Sequence, residues 1–91
     1  MKWIKFFESF KDEWSVAGDR LEKEFEFKDF AEALEFINEL AVICEQQSHH
    51  PEINWTYNKV RLSLYTHGAN DSITEKDLKL SKEIDEILKG I

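Results

Sequence analysis

The chain is poor in the residues that punctuate or cross-link a fold. Its 91 residues hold one cysteine, Cys44, one proline, Pro51, three glycines and three histidines. A lone thiol excludes an internal disulfide and any zinc site built on cysteine. Scarce glycine and proline argue against linkers, and no repeat or low-complexity tract is present. Positive charge is also short: 12 Lys and Arg stand against 19 Asp and Glu, a formal charge of −7. Such a chain repels nucleic acid and anionic lipid, and no basic patch offsets this. No apolar run reaches the ~20 residues of a membrane span. The opening "MKWIKFFESF" does not read as a signal peptide, because Lys5 and Glu8 interrupt it. The expectation is one cytoplasmic domain, residues 1–91, with no membrane or nucleic-acid partner.

What the chain does hold is aromatic bulk. Seven Phe and three Trp supply large buried areas for a modest core. Trp3, Phe6, Phe7 and Phe10 form one stripe of a short amphipathic helix. Trp14 and Val16 share a face, and Leu21, Phe25 and Phe27 alternate with Glu22, Glu24 and Glu26. With Ala17-Gly18-Asp19 between them, these runs predict a β-hairpin with one buried face, that of these apolar residues, and one acidic, wet face. The period then changes. Phe30, Leu34, Ile37, Leu40, Ala41 and Cys44 predict the buried stripe of a helix, opened by Asp29 with Glu32 as a capping box. It must end before Pro51, whose ring disfavours the α conformation at His50.

Val60, Leu62 and Leu64 alternate with Arg61, Ser63 and Tyr65, a half-buried strand. Residues 53–56 predict a further short strand or the start of this one. After "GANDS", Thr74 and Asp77 open a last helix with Leu80, Ile84, Ile87, Leu88 and Ile91 on its apolar face. The order predicts an α+β fold. An antiparallel sheet of about four strands carries two long helices and the short N-terminal helix on one face.

The titratable residues gather at element ends. Glu45 and His49, four apart at the end of the long helix, can share a face, and His50 follows directly. His67 ends a strand, and Asp77 stands in the first turn of the last helix. Imidazoles can give and take protons near neutral pH, and neighbouring carboxylates can orient them. That chemistry suits an elimination of water with no nucleophile. Cys44 occupies an apolar helical position and reads as core. Plainer readings stand beside these. Adjacent histidines before a proline are ordinary loop surface, Asp77 caps a helix, Glu45 is a solvated carboxylate, and Tyr57 packs the core. A zinc site of Glu45, His49 and His67 is a second alternative. A third is an interaction protein that uses a strand edge and the Phe-rich first helix.

The ordered set Glu45, His49-His50-Pro51, Tyr57, His67 and Asp77 resembles the pterin-4a-carbinolamine dehydratase family. The likeness extends through "FEFKDFAEAL", "YNKV", "LYTH" and "TEKDLKLSKEID", roughly from Trp14 to Leu88. One departure is the loop "GANDSIT", which is one residue longer than the family's usual glycine-rich loop. The resemblance implies a hydro-lyase that converts 4a-hydroxytetrahydropterin to the quinonoid dihydropterin. That reaction recycles the cofactor of aromatic amino acid hydroxylases, so a hydroxylase of the same pathway is an implied partner. It implies His49 and His67 as the acid–base pair and His50 as the catalytic-site residue that positions the pterin. Glu45, Pro51, Tyr57 and Asp77 would bind substrate or orient a ring. No metal and no organic cofactor are implied. A homodimer or homotetramer is expected. The family also implies an alternative role as a dimerisation cofactor or transcriptional coactivator.

Overall fold

Alternation and turn chemistry set the strands. The computed structural model describes residues 13–89. β1 (Ser15–Ala17) turns at Gly18, in the left-handed region at φ 62°, into β2 (Arg20–Glu26). Helix α1 (Phe30–Gln47) follows, then β3 (Glu52–Thr56), β4 (Lys59–Leu64), a single 3-10 turn (His67–Ala69) and helix α2 (Glu75–Lys89). The sheet order is β1-β2-β4-β3, with every neighbouring pair antiparallel. The expected N-terminal helix of Trp3, Phe6, Phe7 and Phe10, and the terminal Ile91, lie outside the described residues.

Both helices cover one face of the sheet. Phe25 and Leu21 of β2, with Val60, Leu62 and Leu64 of β4, meet Phe36 and Leu40 of α1 and Leu80 and Ile84 of α2. Phe36 packs its ring 5.0 Å from Phe25 and 5.1 Å from Phe27. Lys23 also points into this layer. Its ammonium meets Asp85 of α2 at 3.0 Å, and the Trp14 indole N–H donates to the same carboxylate. A charge on a core-facing strand position is tolerated because it is paired there.

Two expectations are corrected. Val16 is 68% exposed, although it pairs in register with buried Leu21. It sits on a three-residue strand at the edge of the sheet among the described residues. The buried stripe of α1 is Ala33, Phe36, Leu40 and Cys44, whereas Phe30 and Leu34 are 51% and 40% exposed and Ala41 faces solvent. The helix is turned roughly 60° about its axis from the expected phase. α1 carries two neighbouring apolar stripes, and docking on the sheet and α2 selects one. Phe30 on the other stripe stacks on Trp55 of β3 at 4.6 Å, at the end of the sheet.

The helix ends are as chemistry requires. Asp29 accepts from the Glu32 N–H at 2.9 Å, and the Glu32 carboxylate reaches back to the Lys28 N–H at 3.0 Å. Ser48 ends α1 in the left-handed region at φ 52°, and the His49 N–H caps the Cys44 carbonyl. This reversal, between the end of α1 and the start of β3, decides where the histidines go.

Candidate active site

The left-handed residue at Ser48 stops α1 before His49 can join its outer face. The expected pairing of Glu45 with His49 is therefore absent. The His50 ring takes Glu45 instead, with Nε2 to Oε2 at 2.8 Å, and both side chains are largely exposed. His49 turns inward. Its Nε2 lies 2.6 Å from Oδ1 of Asp77, and its side chain is only 11% exposed.

Asp77 is fully buried in the first turn of α2. Its Oδ2 accepts from the Thr74 N–H at 2.9 Å and from the Thr66 hydroxyl at 2.8 Å. The helix-cap role and the histidine-orienting role are both present, one on each carboxylate oxygen. Burial pushes this carboxyl up. The His49, Thr74 and Thr66 hydrogen bonds and the His49 charge outweigh that and hold it below the ordinary value. Asp77 is thus an acceptor only, so His49 Nε2 must carry a proton and Nδ1 is left for other partners. The same reasoning orders the threonines. Thr66 gives its one proton to Asp77, so Thr74 donates its proton to Thr66 and accepts from the Lys76 N–H.

His49 and His50 line an open cleft with Ser48, Tyr65 and His67, about 350 Å³ in volume. That lies within the range of small-molecule sites, roughly 300–1,000 Å³. His67 stands on the 3-10 turn, 92% exposed, with Nδ1 2.9 Å from Oδ1 of Asp71. The Tyr65 ring is covered by the Arg20 guanidinium at 4.1 Å. Each of the three imidazoles thus has its own carboxylate.

The remaining sequence candidates separate from this cleft. Pro51 lines a small apolar groove with Ile37, Cys44, Glu45, His50 and Ile53. Tyr57 belongs to the turn joining β3 to β4, at φ 54° and 61% exposed, at the strand ends away from His50 and Tyr65. It packs neither the core nor the cleft. Cys44 is buried, and burial followed by Glu45 pushes its thiol up to about 11, so it is no nucleophile at neutral pH. The donors of the zinc alternative diverge, because Glu45, His49 and His67 each serve a different partner. Among the described residues no three His, Cys, Asp or Glu side chains gather as metal ligands.

Sequence reasoning missed Ser48, Tyr65, Thr66 and Asp71. Tyr65 and Thr66 directly precede His67, which is the one local signal they carry.

Among the described residues no helix is long and apolar enough to cross a membrane. The sequence model of the family Pterin 4 alpha carbinolamine dehydratase matches residues 5–87. A Sulfurisphaera tokodaii protein named "Putative pterin-4-alpha-carbinolamine dehydratase" is 45% identical over 75 residues, covering 82% of this chain and 80% of its own. A Picosynechococcus protein of the same name is 40% identical with the same coverage. A Brucella melitensis structure described as a transcriptional coactivator/pterin dehydratase superposes with a TM-score of 0.78 at 35% identity, covering 85% of this chain and 83% of that one. A pterin dehydratase-like protein described as a RuBisCO assembly factor of the alpha-carboxysome shares the fold, with a TM-score of 0.67 at 22% identity. It covers 84% of this chain and 87% of its own. With the matched model spanning most of the chain and relatives this similar, the chain belongs to the pterin-4a-carbinolamine dehydratase family.

Proposed function

We propose that the cleft dehydrates a 4a-hydroxytetrahydropterin to the quinonoid dihydropterin. The C4a–O bond breaks as its oxygen takes a proton and leaves as water. The ring N–H beside C4a loses its proton, and its electron pair forms the new C=N bond. One proton is given and one taken, so two imidazoles suffice. His49 and His67 form the acid–base pair, and His50, held by Glu45, positions the pterin. Asp77 holds His49 in one orientation and one tautomer, as the carboxylate of a hydrolase triad does. The product returns to the pterin pool that aromatic amino acid hydroxylases draw on.

The observation that carries this reading is the buried Asp77 carboxylate on His49, at the edge of a cleft shared with the other two histidines. A histidine that only decorated a loop would not need an ionised carboxylate buried beneath it. The test is stopped-flow dehydration of a 4a-carbinolamine generated in situ. His49→Ala should lower kcat by about 10²–10⁴-fold, the range of a general acid–base group. A His49→Ala, His67→Ala double variant that still turns over at full rate would overturn the assignment.

One observation favours an assembly role beside catalysis. Among the described residues β3 ends the sheet, and Ile53 on it is exposed near the part-exposed Phe30 and Leu34. Such an edge invites pairing. A homodimer or homotetramer would cover it. Sedimentation of wild type and Ile53→Lys tests this. A wild-type monomer at micromolar concentration would remove the self-association reading and favour a foreign partner.

A further inference from the structure

We propose that Thr66 is a positioning residue of the site: its hydroxyl fixes the Asp77 carboxylate, and through it His49, from the residue that begins the His67 loop. This rests on the dehydratase reading of the same cleft and adds a residue to it.

The hydrogen bonds have a direction. An ionised Asp77 only accepts, so the Thr66 hydroxyl gives its one proton to Oδ2 at 2.8 Å. Thr66 then has only lone pairs to offer Thr74. The Thr74 hydroxyl donates to it and in turn accepts from the Lys76 N–H at 3.3 Å. The chain of bonds starts in the first turn of α2, passes through Thr74 and Thr66, and ends on the carboxylate. Each bond in such a chain polarises the next, and the last is charge-assisted. The Thr74 N–H also reaches Oδ2, at 2.9 Å, but that donor belongs to the backbone. Among the described residues, Thr66 and His49 are the two side chains bonded to this carboxylate.

Thr66 also belongs to the other half of the acid–base pair. Its N–H donates to the Ser72 carbonyl at 2.8 Å, and its carbonyl accepts from the Ala69 N–H at 3.1 Å. Its backbone thereby closes the loop of residues 66–72. His67 is the next residue, and it lines the cleft with His49. The His67 ring is 92% exposed, so burial does not hold it. What the fold fixes is the backbone from which it springs. Thr66 is extended, at φ −101° and ψ 113°, where a β-branched side chain has few χ1 choices. The direction of its hydroxyl is thus largely set by that backbone. One residue joins the end of β4, which leads to His67, to the buried carboxylate that holds His49. A proton donor and a proton acceptor serve one substrate only while their spacing holds, and a misplacement of about 1 Å can cost about a hundredfold in rate.

The test compares Thr66→Ala, which removes the hydroxyl, with Thr66→Ser, which keeps it and drops the methyl. Urea unfolding reports whether each variant folds. Stopped-flow dehydration and 13C NMR titration of the Asp77 carboxyl are then read on both. Thr66→Ala should lower kcat on the order of tenfold with KM little changed, because orientation is lost and binding is not. Its Asp77 should titrate at higher pH than in the wild type, since one of the hydrogen bonds that lower it is gone. Thr66→Ser should recover most of the rate. A residue that only stabilised the fold would lower the urea midpoint and leave the kcat of the folded protein unchanged. Wild-type kcat in folded Thr66→Ala therefore overturns the proposal, and so does a Thr66→Ser variant as slow as Thr66→Ala. In the wild type the Thr66 hydroxyl proton should be protected from exchange by its bond to Asp77. Rapid exchange of that proton overturns the proposal whether or not Thr66→Ala folds. Absence of turnover in the wild type refutes the dehydratase reading instead, and the Asp77 titration then decides alone whether Thr66 acts on that carboxylate.

Discussion

Replacing Asp77 by Asn changes one atom and removes one charge, and its consequences follow from the proton inventory around it. Three donors converge on the native carboxylate: His49 Nε2–H on Oδ1, and the Thr66 hydroxyl and Thr74 N–H on Oδ2. An amide offers one oxygen and one NH₂. The Thr74 backbone N–H cannot reverse, so the amide oxygen must stay on that side. The NH₂ then faces His49 Nε2, which has to become an acceptor, and the ring proton moves to Nδ1. The ring nitrogen that Asp77 leaves free in the native protein is thereby protonated. In the serine-protease triad the same Asp-to-Asn change acts through the wrong tautomer and lowers kcat about 10⁴-fold. For this open cleft we expect a loss of roughly 10²–10⁴-fold, about 3–5 kcal/mol of barrier. Stability should fall by about 1.5–3 kcal/mol, as for a lost hydrogen bond to a charged group. A domain with about 5–15 kcal/mol in hand still folds. Circular dichroism confirms folding, stopped flow reads kcat, and 15N NMR reads the ring. A folded Asp77→Asn protein with wild-type kcat refutes the reasoning. So does a slow variant whose His49 still carries its proton on Nε2.

Three further outcomes are expected. Asp77 has a folded pKa below its unfolded value of ~3.9. Its contribution to stability is therefore full above that value and is lost as pH falls through the folded pKa. The urea-midpoint gap between wild type and Asp77→Asn should narrow from about pH 5 to about pH 2, and a constant gap would contradict this. Cys44, with its thiol pushed up to about 11 and buried, should resist iodoacetamide at neutral pH until the chain is unfolded in urea. Fast labelling of the native protein would show that α1 opens or is placed differently. Phe36→Ala should cost about 3–5 kcal/mol, because the ring is fully buried against Phe25 and Phe27. Phe30→Ala, half exposed, should cost much less, and equal urea midpoints for the two would restore the phase of α1 expected from periodicity.

Much of the fold is legible locally. The β4 alternation, the Asp29 cap, the stop before Pro51 and the apolar face of α2 depend on residues within a few positions of each other. Period and capping chemistry are enough to read them. The phase of α1 is different. Periodicity picks Phe30, Leu34, Ile37, Leu40, Ala41 and Cys44, and Phe36 lies just beside that arc. Only the sheet and α2 select the stripe of Phe36 over the stripe of Phe30 and Leu34. Val16 carries the same lesson, since an alternating pattern does not reveal that its strand lies at the end of the sheet.

In the site, residue identity and spacing picked out three histidines at element ends, acidic residues near them, and a cysteine in an apolar setting, but not Ser48, Tyr65, Thr66 or Asp71. The pairings came from the docking of the elements. Glu45 and His49 are close in sequence but part company, because one left-handed residue at Ser48 turns the chain inward. His49 and Asp77 are 28 positions apart and meet at 2.6 Å. Thr66 joins them because it follows β4 and reaches the first turn of α2. Hydrogen bonds are short-ranged and directional, so partners this remote in sequence are set by where the elements dock. Local propensity has no access to that placement.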